Sequence, residues 1–214
     1  MELQSLPTVP AGSVAGMIFS LAAAFGLPIG LYLYLKHKKY ARTSSFVAGM
    51  LVFILFAMVL ESLVHSLVFS LTGTAITGSL FFYAVYAALM AAAFEETGRW
   101  LAMRFVLRRL DGKNALMYGA GHGGAEAMIL LGLTSINNLV NATLINSGEL
   151  PGVLSGLDEA TAESVLAGVS QLWTAPAYLF FVGGLERIVA IFLHIALSVL
   201  VWRAVRDKKA GWYW

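Results

Sequence analysis

Long stretches without a charged residue constrain this chain more than any other feature of its sequence. No charged residue lies between Ala11 and Leu35, and only Glu61 is charged between Thr43 and Phe94. A helix needs about 20 apolar residues to cross a bilayer core about 30 Å thick, because each residue adds about 1.5 Å along the axis. Hydrophobic residues make up 59% of the chain and charged residues 12%, which excludes a water-soluble globular domain. We therefore expect an integral membrane protein.

Five segments of the sequence are long and apolar enough to span a bilayer. They cover residues 11–35, 44–71, 80–105, 114–139 and 185–202. We expect them to form an all-α, polytopic transmembrane bundle and a single integral membrane domain over residues 1–214. The first segment counts as a span because it is too long for the apolar core of a cleaved signal peptide.

A more polar outer segment over residues 141–184 separates the last two predicted spans. Within it we predict an amphipathic helix over 158–173, since its apolar residues fall on roughly one side. This helix is expected to be interfacial or extramembrane, and residues 176–184 are read as either a re-entrant piece or part of a span.

The basic residues indicate how the spans are oriented. Twelve of the 14 Lys and Arg residues lie in three groups, which follow the first, third and fifth spans: Lys36, Lys38, Lys39, Arg42, Arg104, Arg108, Arg109, Lys113, Arg203, Arg206, Lys208 and Lys209. Short loops rich in Lys and Arg stay cytoplasmic. We therefore predict a cell-membrane protein with its N-terminus outside and its C-terminus in the cytoplasm. Topology accounts for the basic residues, so we expect no nucleic-acid partner.

Several ionisable residues lie inside the predicted spans, where each costs at least about 2.5 kcal/mol and is usually functional. They are Glu95, Glu96, Arg99, His122, Glu126 and His194. Counting about 1.5 Å per residue from the nearest cytoplasmic basic residue places Glu96, His122 and His194 at a common depth of roughly 12–14 Å. The same count places four further residues near the outer surface, where we assign them no catalytic role: Glu61, His65, Glu186 and Arg187.

The spacing within each span suggests the chemistry. Arg99 lies four residues after Glu95 and three after Glu96, so its guanidinium can pair with one carboxylate while the other points elsewhere as a general base. The alternative is an ion pair that holds helices together. His122 and Glu126 share a helix face, which suits half of a metal site or a histidine oriented by a carboxylate. Thiolate chemistry is excluded because the chain has no cysteine.

Three motifs together resemble a known family. Glu95-Glu96-x-x-Arg99, His122-x-x-x-Glu126 and His194-x-x-x-Ser198 resemble the YhfC family of intramembrane metalloproteases and, more distantly, PrsW and the CAAX-prenyl-protease-like (Abi) membrane proteases. The resemblance implies peptide-bond hydrolysis within or at the membrane, with Glu95 activating water and the histidines assisting. The chain departs from the CAAX-type pattern in the gap before Arg99 and in having Ser198, so a prenylated substrate is not expected.

Two mechanisms fit these residues. In the first, His122, Glu126 and His194 bind a divalent ion, with zinc preferred, while Glu95 or Glu96 takes a proton from water. In the second, which needs no metal, Glu95 deprotonates a water held by His122, and His194 donates to the oxyanion.

We predict a metallo- or glutamic-type endopeptidase that cleaves a membrane-associated peptide or protein. Its predicted catalytic residues are Glu95, Glu96, Arg99, His122 and His194. An ion- or proton-coupled transporter is one alternative, because Glu and His residues in spans also form proton relays. The other alternative is a non-catalytic scaffold subunit, in which the same residues would support assembly.

Overall fold

The computed structural model describes residues 7–107 and 111–208. Within these ranges the chain forms helices and no β-strand. Five helices are long and apolar enough to cross a membrane: α1 (Ala11–Lys38), α2 (Thr43–Thr72), α4 (Leu80–Val106), α5 (Gly112–Asn146) and α8 (Tyr178–Asp207). Three shorter helices connect them: α3 (Thr74–Thr77), α6 (Leu150–Leu154) and α7 (Glu159–Thr174). The predicted all-α polytopic architecture with five spans is confirmed.

The last two spans are longer than predicted. Helix α5 continues to Asn146, because its asparagines do not interrupt the helical hydrogen bonds of the backbone. Helix α8 begins at Tyr178, where the carbonyl of Pro176 accepts a hydrogen bond from the Leu179 amide at 3.0 Å. Residues 178–184 are therefore the first turns of a span, and the re-entrant alternative is wrong. Proline just before a helix is favourable, since the first helical amides have no partner within the helix.

Three of the spans contain a π-helical stretch, over Phe53–Glu61 in α2, Ala102–Val106 in α4 and Ala127–Gly132 in α5. A π-helical turn closes over five residues, so it rotates the following side chains away from the positions that α-helical spacing predicts. Glu61 ends the first stretch, and the third begins directly after Glu126. Depth and direction counted along an ideal α-helix are therefore displaced near these two residues.

The chain divides into two compact units where the sequence suggested a single domain. The first unit comprises Met1–Leu27 and Ala127–Val189, and the second, which we call the site unit, comprises Pro28–Glu126 and Ala190–Trp214. The boundaries fall inside α1, α5 and α8 rather than in polar linkers, so hydropathy does not mark them.

The first unit contains an apolar core of its own, into which α7 buries Val169 and Leu172. The predicted helix over 158–173 is thus confirmed, with a shift of one residue. Asp158 caps it, because its carboxylate accepts hydrogen bonds from the Thr161 amide at 3.0 Å and the Thr161 hydroxyl at 2.6 Å. These hydrogen bonds stabilise the charged carboxylate and lower the pKa of Asp158.

The site unit is built around the first half of α5, whose backbone approaches α2 very closely. Gly121 faces the backbone carbonyl of Phe46, and a Cβ atom added to Gly121 would overlap that oxygen. On the α2 side, a Cβ atom at Gly49 would lie 2.8 Å from the backbone nitrogen of His122. Small residues allow this backbone-to-backbone approach, which is typical of membrane helices.

A second glycine face of α5 packs against α8. A Cβ atom at Gly119 would lie 2.6 Å from the Cα of Ile195, and one at Gly123 would lie 3.0 Å from the Cα of Ile191. Close helix packing by these glycines agrees with the small-residue pattern of the sequence. Because neighbours press on two faces of α5, the His122 side chain between them is fully buried.

Candidate active site

Side chains from three helices of the site unit meet at one place. Helix α4 supplies Glu95, Glu96 and Arg99, α5 supplies His122 and Glu126, and α8 supplies His194. The structure brings together all six of the residues that the sequence analysis singled out within the spans. Ser198, the last residue of the third motif, is fully buried and donates a hydrogen bond to the His194 backbone carbonyl at 2.7 Å.

Glu95 lies between the two histidines. Its Oε2 atom is 3.1 Å from Nε2 of His122 and 3.6 Å from Nδ1 of His194. One potential ligand atom from each of these three residues lies within 4.8 Å of the others. The two imidazole centroids are 4.9 Å apart, and the Phe53 ring packs edge-on against His122 at 5.5 Å. The cluster is therefore compact and enclosed on one side by an aromatic ring.

Both ring nitrogens of His194 have a partner. Nδ1 lies 2.9 Å from Nη2 of Arg99, and Nε2 lies 2.6 Å from Oε2 of Glu126. A guanidinium only donates hydrogen bonds, so Nδ1 accepts and the ring proton lies on Nε2, beside the Glu126 carboxylate. This arrangement defines the orientation of the imidazole. Glu126, which shares a helix face with His122 in the sequence, contacts His194 on another helix.

Arg99 separates the two adjacent carboxylates. It is fully buried, and its Nη1 donates to Oε1 of Glu96. Glu96 therefore faces the guanidinium while Glu95 faces the histidines, as the spacing of the motif predicts. The Glu95 and Glu96 side chains keep 16% and 21% of their surface exposed. The carboxylates thus lie on the accessible side of a cluster that is otherwise buried.

The residues present fit a divalent metal ion. Two ligands held tetrahedrally by zinc at about 2.0–2.1 Å are about 3.3 Å apart. The separations of 3.1 and 3.6 Å from Glu95 to the two histidines lie on either side of this value. Two histidines and a glutamate are also an established ligand set of catalytic zinc. For His194 to bind through Nδ1, the Arg99 guanidinium must first leave that nitrogen.

A second polar cluster in the site unit was assigned to the outer surface by the sequence analysis. His65 contacts Tyr86 through Nδ1 at 2.9 Å and Glu61 through Nε2 at 3.1 Å. Glu61 is only 8% exposed and therefore lies inside the site unit. Its depth in the membrane stays a prediction. The count assumed an ideal α-helix, whereas the preceding turns of α2 are π-helical.

Tyr118 is a site residue that sequence reasoning missed. It is fully buried one helical turn before His122, and the two ring centroids are 6.1 Å apart. Its spacing of four residues from His122 was a usable signal, because positions i and i+4 share a helix face.

The remaining residues singled out in the sequence lie elsewhere. Glu186 and Arg187 belong to the first unit and pair with each other. They lie inside α8 rather than at its outer end, because this helix begins at Tyr178. Of the basic residues that indicated the topology, Arg108, Arg109 and Lys209 lie outside the described residues.

Comparison with known proteins identifies relatives over most of the chain. The sequence model described as YhfC intramembrane metalloprotease matches residues 23–214. The chain is also 41% identical over 204 residues to the membrane protein YhfC of Bacillus subtilis (strain 168), an alignment that covers 92% of this chain and 77% of that protein. No solved structure gives a significant match. With the five long apolar helices, the similarity indicates an integral membrane protein.

Proposed function

Because the chain belongs to the YhfC intramembrane metalloprotease family, we propose that it hydrolyses peptide bonds of a membrane-associated peptide or protein. The observation that carries this proposal is the meeting of Glu95, His122 and His194 from three separate helices. Buried ionisable groups inside apolar spans are costly and mark functional sites. A carboxylate between two imidazoles also supplies the groups that peptide hydrolysis needs, a proton acceptor and potential metal ligands.

Glu95, His122 and His194 would hold a divalent ion, and zinc suits this ligand set best. When bound, the ion supplies a Lewis acid that polarises the substrate carbonyl and makes water more acidic. Glu126 is then a positioning residue rather than the ligand that the sequence pattern suggested, because its carboxylate lies 2.6 Å from Nε2 of His194. A carboxylate behind a histidine is the usual partner that orients a metal-binding imidazole.

Which glutamate takes the proton depends on the ion. If Glu95 is a ligand, Glu96 is the neighbouring carboxylate that accepts the proton of the attacking water, held in place by Arg99. In a metal-free enzyme, Glu95 accepts it, because Glu95 contacts His122 at 3.1 Å. In both cases the water oxygen bonds to the carbonyl carbon and the carboxylate carries the water proton to the leaving nitrogen. The C–N bond then breaks to give an acid and an amine.

The test of this function is cleavage by the purified protein in proteoliposomes, with a library of internally quenched transmembrane-segment peptides as substrate. We expect the Glu95→Gln/Glu96→Gln double variant to reduce cleavage by at least about 100-fold, the contribution of a general base. Glu163→Gln, an exposed carboxylate of α7, is the matched control and should cleave normally. Cleavage that survives the Glu95→Gln/Glu96→Gln double variant would refute the proposal, and ion-coupled solute transport by the same vesicles would favour the transporter alternative.

Metal content distinguishes the two mechanisms. A divalent ion in stoichiometric amount that is lost in His122→Ala supports the metal-dependent version. Full activity after complete removal of metal supports the glutamic version. The matched control is again Glu163→Gln, which should retain the metal content of the unmodified protein.

We further propose that the protein lies in the cell membrane with its N-terminus outside and the active site in the cytoplasmic half of the bilayer. The basic residues that flank the spans support this orientation. Because the chain contains no cysteine, single cysteines can report it directly. A membrane-impermeant maleimide should label Ser147→Cys in intact cells and Lys38→Cys only after permeabilisation. The opposite labelling pattern would reverse the orientation.

A further inference from the structure

Peptide hydrolysis needs hydrogen-bond donors for the carbonyl oxygen, which becomes negatively charged when water attacks the carbon. His194 was the expected donor in the metal-free mechanism. In the structure both of its nitrogens are engaged, by Arg99 at 2.9 Å and by Glu126 at 2.6 Å. His194 is therefore not available as an oxyanion donor in this arrangement, and in the metal-dependent version it is a ligand.

Besides Nδ1 of His122, two donors beside the cluster have no hydrogen-bond partner among the residues that the structure describes. They are the hydroxyl group of Tyr118 and the Nε–H group of Arg99, and both side chains are fully buried. Buried polar groups without a hydrogen bond are rare because they lose their bonds to water without replacement. Donors in this state are prepared to bind an acceptor that enters the site.

Packing places Tyr118 next to the part of α4 that carries the site residues. Tyr118 shares one buried cluster with Ala102 and Met103, which follow Arg99 on α4. Its ring centroid also lies 6.1 Å from that of His122, the next residue on the same face of α5. Tyr118 therefore borders the cluster from the α5 side.

The geometry of Arg99 directs its unpaired donor toward the same cluster. In a guanidinium group, the Nε–H bond lies on the edge that also carries Nη2. Nη2 contacts His194, and Nη1 is held by Glu96. The Nε–H group therefore lies on the edge that faces His194, while the opposite edge holds the carboxylate.

We propose that the Tyr118 hydroxyl and the Arg99 Nε–H group form the oxyanion-binding pair of this enzyme, an inference that rests on the proposed peptide hydrolysis. As the water oxygen bonds to the carbonyl carbon, the π-electron pair moves to the carbonyl oxygen, which accepts hydrogen bonds from both donors. When this electron pair forms the C=O bond again, the C–N bond breaks and the nitrogen takes the proton held by the glutamate. Two converging donors of this kind act mainly in the transition state.

The decisive variant is Tyr118→Phe, which removes one oxygen atom and keeps the ring. We expect kcat to fall by about 100- to 1,000-fold, the usual effect of deleting one oxyanion donor, with little change in KM. A phosphinic peptide resembles the tetrahedral intermediate, so its affinity should fall by a similar factor. Because the hydroxyl has no partner in the resting protein, the melting temperature should stay the same or rise.

Tyr86→Phe is the matched control. It deletes a phenol hydroxyl that contacts His65 at 2.9 Å outside the proposed pair, so we expect lower thermal stability with unchanged kcat. Arg99→Lys keeps the positive charge and removes the Nε–H donor of the guanidinium group. If both donors act on one oxygen, the Tyr118→Phe/Arg99→Lys double variant should lose less activity than the product of the single losses.

Three outcomes overturn the inference. Wild-type kcat and phosphinic-peptide affinity in Tyr118→Phe would show that the hydroxyl does not bind the oxyanion. If Tyr118→Phe lowers both the activity and the melting temperature, the hydroxyl has a structural role, such as binding a buried water. If the unmodified protein neither cleaves peptides nor binds the phosphinic peptide, the proposed function itself fails and the inference with it. The first outcome, with measurable phosphinic-peptide binding that is equal in wild type and Tyr118→Phe, refutes this inference but not the proposed function.

Discussion

Replacing Glu126 by glutamine distinguishes a metal ligand from a residue that orients one. In the structure the Glu126 carboxylate lies 2.6 Å from Nε2 of His194, while Nδ1 of the same ring points toward Glu95 and Arg99. Glutamine keeps the shape of the side chain but removes the charge. The imidazole then faces a neutral amide and loses the attraction of the carboxylate charge that favours its orientation.

The expected magnitude follows from this position. Removing a partner that orients a ligand costs about 10- to 100-fold in metal affinity, or about 1.4–2.7 kcal/mol. Zinc binds structural sites with about 10–16 kcal/mol, so one of four ligands contributes about 2.5–4 kcal/mol. Glu95→Gln, which alters a proposed ligand, should therefore weaken binding by more than about 100-fold.

Competition with a fluorescent zinc chelator in detergent measures both affinities, and Glu163→Gln provides the unchanged reference. The reasoning is supported if Glu126→Gln retains stoichiometric zinc at reduced affinity and Glu95→Gln does not. It is refuted if Glu126→Gln loses the ion while Glu95→Gln binds normally, which is the behaviour of a ligand set of His122, Glu126 and His194. Unchanged affinity in Glu126→Gln would exclude the positioning role.

Three further predictions concern stability. Gly121→Ala should lower the free energy of unfolding by about 1–3 kcal/mol because its Cβ overlaps a backbone oxygen, whereas Gly152→Ala, with open space around it, should be nearly neutral in thermal unfolding. His65→Phe should destabilise the protein by about 1–3 kcal/mol, since it leaves the buried Glu61 carboxylate without its imidazole partner. The pKa of Asp158 in the folded protein should lie below the ordinary aspartate value in an NMR titration. Its capping stabilisation is then complete above the unfolded-state pKa and is lost as the pH falls through the lower folded-state pKa.

The architecture was predictable because membrane insertion depends on local hydropathy. A run of apolar residues is enough to identify a span, whatever its neighbours are. All five spans were found in this way, and the resemblance carried by three motifs is confirmed by the match to the YhfC family over residues 23–214. The ends of the last two spans were missed because helices can continue through polar residues, as α5 does to Asn146.

The membership of the cluster was also accessible from the sequence. Helical rise converts residue number into depth, so Glu96, His122 and His194 were expected at one level. The method did not show that Glu61 is buried inside the protein, and a π-helical stretch interrupts the regular rise and rotation of α2 there. It also overlooked Tyr118, because a tyrosine in an apolar span carries no charge to draw attention to it.

Hydropathy and spacing thus establish that the chain crosses a membrane as helices and that acids and imidazoles share one depth. The tertiary structure alone decides which of these groups meet. Glu126 lies one turn from His122 in sequence yet contacts His194, and Arg99 contacts both Glu96 and that same imidazole. The physical reason is that depth is a property of one helix, whereas contact depends on how neighbouring helices are rotated and how closely they approach. Here the glycine faces of α5 allow that approach, but a small-residue pattern along one helix does not tell which neighbouring helix it meets.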